Sequence, residues 1–275
     1  MSDIVLSAGV RSNLLQLQQT SDLITRTQVR LSTGKRVNSA LDNAINFFTA
    51  QGLDNRASDL SSLLDSMSNA INTIQAANNG ITAITKLVQA AQALTSQAKQ
   101  TSDATTRTSL ATQFNALLTQ IGQLGSDSGF NGVNLLGDDD LKVNFNEDAT
   151  SSTTITGVDY TNQTTPLSIN QAANWYANAA GDTNIDNAVN ELTAALTALR
   201  SESQTLGANL STVQIRQDFT KATINTLQNG SATLTLADSN EEGANLLALQ
   251  TRQQLSTTAL SLAAQADQNV LRLFQ

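Results

Sequence analysis

Two Ser-x-x-Lys pairs, Ser32 with Lys35 and Ser96 with Lys99, have the spacing at which a lysine amine can accept the proton of a serine nucleophile. Neither is accompanied by a Ser-Asp-Asn or Lys-Thr-Gly partner, and chance pairs are expected in a chain this rich in Ser. Gly34-Lys35 lacks the earlier glycine of a phosphate-binding loop and is followed by Arg36 rather than Ser or Thr. The run Asp138, Asp139 and Asp140, with Glu147 and Asp148 nearby, offers oxygens to a hard cation, but the spacing is not that of an EF-hand and Lys142 stands where a ligand would be needed. A solvated turn ahead of a hairpin is the stronger reading. Asn209-Leu210-Ser211 and Asn229-Gly230-Ser231 fit the N-glycosylation pattern but fall on or at the end of an expected helix. The hydroxyls at Thr150 to Thr154 and Thr161 to Thr165 are better placed for surface O-modification.

Composition removes most other chemistry. The 275 residues include no His and no Cys, which excludes histidine general bases, Ser-His-Asp triads, thiolate nucleophiles, disulfides and iron–sulfur ligation. No catalytic residue, metal ligand or cofactor site is expected. Charged residues make up 14% and the net charge is −8, which opposes binding to nucleic acid or to an anionic membrane surface. No apolar run approaches the roughly 18 residues that cross a bilayer, so no membrane insertion is expected. Met1 to Val10 lacks the basic-then-apolar plan of a cleavable signal peptide. Any export is therefore expected to use another route.

What remains are the elements themselves. Hydrophobic residues make up 40% but aromatics only 4%, a composition suited to helices packed along their length. From Leu60 the positions Leu63, Met67, Ala70, Ile74, Ala77, Ile81, Ile84, Val88, Ala91, Thr95 and Ala98 continue in alternating steps of three and four. A second helix follows through Leu110, Phe114, Leu117, Ile121 and Leu124 and should stop near Gly125 to Gly129. A third seam runs Leu192, Leu196, Leu199, Ser203, Leu206, Leu210, Val213, Gln217, Thr220, Ile224 and Leu227, with Gly230 as its expected stop. At the N-terminal end, Leu14, Leu17, Ser21, Ile24, Gln28 and Leu31 form a weaker stripe, stopped at Gly34. At the C-terminal end Leu246, Leu249, Gln253, Ser256, Leu260, Ala263, Asp267, Val270 and Phe274 form another, with a second apolar line through Leu255, Ala259, Leu262, Ala266 and Leu273. Such a helix needs several neighbours. Leu141, Val143 and Phe145 alternate with polar residues, and Thr153 to Thr156 is β-branched, which predicts a hairpin. Tyr160 to Asp182 reads as a surface insertion with one short helix around Gln171 to Ala180. The fold class expected is mainly α: a long antiparallel helical bundle or coiled coil with a β-hairpin and a small irregular surface insertion.

Three phrases carry a family likeness. Leu31-Ser32-Thr33-Gly34-Lys35-Arg36-Val37-Asn38-Ser39-Ala40, followed by Asp42-Asn43-Ala44, resembles the N-terminal signature of bacterial flagellin, with Leu31, Gly34, Arg36, Asn38, Ala40 and Asp42 as its signature positions. Ser128 to Leu136 resembles the phrase before the flagellin hairpin, and Gln265 to Leu273 resembles the flagellin ending. The short middle and Ile45-Asn46-Phe47-Phe48 are most similar to the compact flagellins of alphaproteobacteria. The resemblance implies that residues 1–43 with 232–275 form an inner coiled-coil tube domain. It implies that 44–149 with 185–231 form the next shell, and that 150–184 form a short outward-facing variable insertion.

The function implied is that of a structural subunit polymerising with copies of itself into the extracellular filament used for swimming. Assembly would be carried by Leu14, Leu17, Ile24, Leu31, Leu246, Leu249, Leu260, Val270, Leu273 and Phe274. Implied partners are the flagellar type III export apparatus, a chaperone on the C-terminal region, and hook-associated and cap proteins. Flagellins detected by the vertebrate innate receptor carry an Arg-Glu pair on the first long helix, and Thr85 and Lys86 occupy those positions here. The competing functions are a hook–filament junction protein of the same family, a non-assembling coiled-coil adaptor or chaperone, and a hydrolase built around Ser32 and Lys35.

Overall fold

The structure, a computed structural model, describes residues 8–162 and 167–273. Among these are five α-helices, α1 (Ala8–Thr33), α2 (Ala44–Gln100), α3 (Ala104–Asp127), α4 (Ala179–Thr235) and α5 (Ser239–Leu273), a 3-10 turn at Leu135–Gly137, and two strands, β1 (Leu141–Asn144) and β2 (Ser152–Ile155). The strands pair antiparallel, Leu141 opposite Ile155 and Val143 opposite Thr153. The chain divides into two compact units, Met1–Asn55 with Thr226–Gln275, and Arg56–Asn225, and α2 and α4 contribute to both.

The heptad seams of the Arg56–Asn225 unit are its core. Met67, Ile74, Ala77, Ile84, Val88 and Ala91 of α2 are fully buried, in one cluster with Phe114, Leu118 and Ile121 of α3 and Leu192, Leu199, Leu206 and Val213 of α4. Thr95, the polar member of the α2 seam, is also fully buried, and its hydroxyl donates to the Gln92 carbonyl, so the position leaves no orphan donor. Lys99 pairs with Asp186, Ser203 donates to Asn78 Oδ1 at 2.9 Å and Gln217 donates to Ser68 Oγ at 2.9 Å. Their order runs down α2 as it runs up α4, so the two helices are antiparallel. Ser203 and Gln217 interrupt the apolar seam where a polar partner on α2 receives them.

Asp103 caps α3, its carboxylate accepting the Thr106 amide and hydroxyl, each at 2.6 Å. These bonds hold its carboxyl below the usual carboxylate range. The helix ends at Asp127, where the glycine-rich stretch from Gly125 places its stop. Gly125 is required for close approach: a Cβ there would lie 2.6 Å from the Tyr160 carbonyl oxygen, a backbone atom that cannot rotate away. Gly125→Ala is expected to lower unfolding stability by about 2–3 kcal/mol, read as a urea midpoint shift.

Two expectations are corrected. Gly230 does not stop the third helix, because α4 continues to Thr235. A Cβ at Gly230 would stand 3.3 Å from Leu53 Cδ1, so the glycine serves close packing, which offsets its helix cost of about 1 kcal/mol. The short helix around Gln171 to Ala180 is absent: residues 171–178 are irregular and α4 begins at Ala179. The groups a helix would use are engaged elsewhere. The Ala172 amide donates to Asn115 Oδ1 at 2.7 Å, Asn115 Nδ2 returns a bond to the Ala172 carbonyl, and the Tyr176 carbonyl accepts from Arg107 at 2.6 Å.

Nor are the described residues of 160–182 a surface addition. Tyr160, Leu167, Ile169 and Trp175 are buried in the same cluster as α2 to α4, and the Trp175 ring lies 5.2 Å from that of Phe114. Arg107, itself only 5% exposed, closes this end of the unit by bonding Thr101 O and Tyr176 O and pairing with Asp182 at 2.7 Å.

Candidate assembly surfaces

Apolar residues recurring every three or four positions make a helix but do not decide which of its faces finds a neighbour. In the terminal unit α1 packs on α5. Arg30 near the end of α1 pairs at 2.8 Å with the buried Glu242 at the start of α5, so the two helices are antiparallel. On α5 the expected stripe is the contact face: Leu246, Leu249, Gln253, Ser256, Leu260 and Ala263 are all half-buried, and Leu255 and Leu262 of the second line are exposed.

The α1 stripe needs correction. Leu17, Ile24 and Leu31 are half-buried as expected, but Leu14, Ser21 and Gln28 are exposed. Thr20 and Thr27 are buried in place of Ser21 and Gln28, half-buried Asn13 stands in place of Leu14, and Val10 is buried one heptad before Leu17. The two registers share every second position and differ by one residue at the others, so the spacing alone fits both. Thr20 tolerates the seam because its hydroxyl donates to the Gln16 carbonyl at 2.8 Å. Outside this seam Leu14, Leu15, Leu23 and Val29 of α1, and Leu247, Leu255 and Leu262 of α5, are exposed. The α5 backbone reaches Leu273, but the side chains of Val270 and Leu273 and the whole of Phe274 lie outside the described residues.

The signature stretch is a joint. Gly34 takes φ +67, the left-handed conformation that favours glycine, and stops α1. The chain then lies along the end of α4: Arg36 donates its amide to Thr235 O at 2.7 Å, Lys35 bridges Leu236, and the Ala237 amide returns a bond to Gly34 O. Val37 is buried, and Asn38 Nδ2 donates to Lys35 O. Asp42 accepts the amides of Asn38 and Ser39, each at 3.0 Å, and the Ser39 hydroxyl. Those backbone amides hold its carboxyl below the usual range. Ala40 is half-buried within this turn, and Asn43 Oδ1 accepts from the Asn46 amide to start α2. Leu41, Ile45 and Phe48 project into solvent, Leu41 at 98% exposure.

Both serines of the Ser-x-x-Lys pairs are engaged within their own helices. The Ser32 hydroxyl donates to Val29 O, and the Ser96 hydroxyl donates to Gln92 O one turn back on its helix. The Lys35 main chain bridges Leu236, and the Lys99 side chain is paired with Asp186. Asp139 and Asp140 accept from the Asn134 and Gly157 amides and shape the approach to the hairpin. The hairpin is tied on both sides, by Arg56 to Glu147 at 2.6 Å and by Arg216 standing 5.2 Å over the Phe145 ring. On α2, Thr85 is half-buried with its hydroxyl on Ile81 O, and Lys86 is exposed.

One titrating group in the Arg56–Asn225 unit acts against its own fold. Burial raises the Glu202 carboxyl above its ordinary value, and burial with the Glu202 charge nearby pushes the Tyr160 phenol up to about 12. A carboxyl raised in the folded chain binds its proton more tightly there than in the unfolded chain. Its effect on stability therefore improves as pH falls through the folded value and levels off below the unfolded value of 4.5. Glu202→Gln is expected to raise the urea midpoint at neutral pH, by less than about 1 kcal/mol because water still reaches the carboxylate, and to gain nothing at pH below the unfolded value. Asp42 and Asp103 have the opposite sign: their stabilisation is present above 3.8 and is lost as pH falls through their lowered folded values.

Comparison with known proteins agrees with this architecture. The family model for the bacterial flagellin N-terminal helical region matches residues 8–140, and that for the C-terminal helical region matches residues 185–274. A flagellin of Brucella melitensis is 29% identical over the full length of both chains. A flagellin of Caulobacter vibrioides is 30% identical over all of this chain and 99% of its own. Flagellin A of Rhizobium meliloti is 38% identical over 91 residues, 33% of this chain and 23% of its own. With helices matched at both ends and relatives aligned from end to end, this chain belongs to the bacterial flagellin family, in its short alphaproteobacterial form, and is a structural subunit of the flagellar filament.

Proposed function

We propose that α1 and α5 are the assembly elements of the filament's inner wall: Leu17, Ile24, Leu31, Leu246, Leu249 and Leu260 hold the two helices together, and Leu14, with Val270, Leu273 and Phe274, carries contacts between subunits. The observation behind this reading is the leucine surface that the α1–α5 pair leaves in water: Leu15, Leu23, Leu247, Leu255 and Leu262 are 40–69% exposed. A two-helix pair seamed by Thr20, Thr27, Gln253 and Ser256 buries little apolar surface of its own. At about 25 cal/mol per Å², covering the exposed leucines with neighbouring copies supplies what the pair lacks. A contact repeated head to tail without closing yields an open helical filament.

On this reading residues 1–43 with 232–275 form the inner tube, 44–149 with 185–231 the next shell, and 150–184 the outer surface. The subunit acts extracellularly and without catalysis. It is exported through the flagellar type III channel with a chaperone on its C-terminal region, and it meets hook-associated and cap proteins at the filament's ends. The test is to mix purified monomer with filament seeds. Elongation, with amide-exchange protection of 8–33 and 239–273 rising on polymerisation, is the expected result. A monomer that stays inert beside seeds, with its termini already protected, contradicts the proposal.

Thr85 and Lys86 also set an expectation for innate detection. A neutral hydroxyl and an ammonium replace a guanidinium fork and a carboxylate, which removes a bidentate donor and reverses a charge. At a cost of about 2–4 kcal/mol for such a contact, a reporter-cell response at least about 30-fold weaker than that to an Arg-Glu flagellin is expected, and Thr85→Arg with Lys86→Glu should recover part of it.

A further inference from the structure

The chain contains three Asn-Gly pairs, Asn79-Gly80, Asn131-Gly132 and Asn229-Gly230. Local chemistry makes them equivalent: glycine has no side chain to keep its amide nitrogen from the preceding Asn side-chain carbonyl. The fold separates them. Asn79-Gly80 lies inside α2 and Asn229-Gly230 inside α4. In a helix each glycine amide donates one turn back and the backbone is held in the α region. Gly80 is further pinned, since even a Cβ there would meet Ser128 Oγ at 2.1 Å.

Asn131-Gly132 occupies the two central positions of a tight turn, with φ of 51 and 83. The turn is closed by Phe130 and Val133, which exchange amide-to-carbonyl bonds of 2.9 and 3.1 Å. Both central residues are exposed, neither the Asn131 side chain nor the Gly132 amide has a hydrogen-bond partner among the described residues, and nothing stands within 4 Å of where a Gly132 Cβ would be. Opening this turn breaks two exposed hydrogen bonds. Opening either helix breaks a ladder tied to a buried core.

We propose that Asn131 is a site of spontaneous covalent modification in the folded chain, by deamidation through attack of the Gly132 amide. The Gly132 nitrogen forms a bond to Asn131 Cγ and gives up its proton to solvent base. The Cγ–Nδ2 bond breaks, and Nδ2 takes a proton and leaves as ammonia, so that a five-membered succinimide links the two residues. Water then adds to one of the two ring carbonyls and opens the ring to aspartate or isoaspartate, with no oxidant or reductant involved. Either product places a new negative charge between Phe130 and Val133. The isoaspartyl product also adds a methylene to the main chain, which breaks the register of the Phe130–Val133 pair. The turn lines one cleft with β1 and with Leu63, Ala70 and Thr73 of α2, so the change falls on a wall of the Arg56–Asn225 unit.

The test uses the full-length folded chain, incubated in mildly alkaline buffer beside a sample in denaturant until the denatured sample has converted. Peptide mass mapping reads all three pairs, and an isoaspartyl methyltransferase label marks the isoaspartyl product. In denaturant the three pairs should convert at similar rates. In the folded chain conversion at Asn131 should exceed that at Asn79 and Asn229 by at least about tenfold, a factor equivalent to about 1.4 kcal/mol of extra opening cost. Equal conversion at the three sites in the folded chain, or none at Asn131 over that time, overturns the proposal. Asn131→Asp, which keeps the turn but lacks the leaving amide, should abolish ammonia release from this site. Persistence of that signal in the variant would equally count against it.

Discussion

Leu249→Asp combined with Leu260→Asp is expected to stop elongation on filament seeds while leaving the Arg56–Asn225 unit folded. Both leucines are half-buried on the α5 face that meets α1, and two carboxylates there must either be solvated, which separates the helices, or be buried without partners. Each lost leucine contact is worth about 1–2 kcal/mol, and burying a carboxylate in its place costs more. On the proposed reading this pair becomes fully ordered only as a subunit joins the filament, so each addition carries the penalty. Because 1.4 kcal/mol is tenfold in an equilibrium constant, the critical concentration for growth should rise by about a hundredfold or more. Seeded turbidity measures the growth, and urea unfolding of the monomer, read from Trp175 fluorescence, checks that the other unit is intact. Normal elongation by the double variant would remove the terminal helices from the assembly mechanism.

Phe114→Ala should produce the largest loss of monomer stability. The ring is fully buried between α2, α4 and the irregular segment, with its centroid 5.2 Å from that of Trp175 and the planes tilted by 58°. Removing it deletes an aromatic contact and leaves a cavity that long, stiff helices close poorly, at a cost of about 3–5 kcal/mol. A fall in Tm of about 10 °C follows for a domain of this size. Trp175 is the lone tryptophan, so its emission should shift to the red in the folded variant as the pocket loosens. Phe114→Leu, which refills most of the volume, should recover more than half of the loss. An unchanged Trp175 spectrum would mean that the irregular segment is not held by this ring.

Periodicity made most of the architecture legible, because a helix that buries one face must repeat its apolar residues at the helical pitch. The seams from Leu60 to Ala98 and from Leu192 to Leu227 could be read directly, and so could the end of α3, the stop at Gly34 and the hairpin. Buried polar seam residues did not obscure them, since Thr95 satisfies itself within its helix and Ser203 and Gln217 find partners on α2. The N-terminal signature was visible as a phrase, though its work as a joint between α1, α4 and α2 rests on backbone bonds to Thr235 and Gly34 that no local pattern announces.

Three features were settled only by the assembled fold. Which face of α1 meets α5 depended on two registers offset by one residue at alternate positions, and the partner helix selected the one carrying Asn13, Thr20 and Thr27 over the one carrying Leu14, Ser21 and Gln28. Gly230 is a helix stop in isolation and a packing glycine beside Leu53. Tyr160 to Asp182 has the composition of a surface loop, yet in 167–178 Asn115 and Arg107 take backbone groups and Phe114 receives the tryptophan. Helix and turn preferences are properties of neighbouring residues along the chain and are written in their order. The choice among faces, and the fate of an irregular segment, depends on hydrogen bonds and contacts between residues tens of positions apart, which exist only once the helices have met.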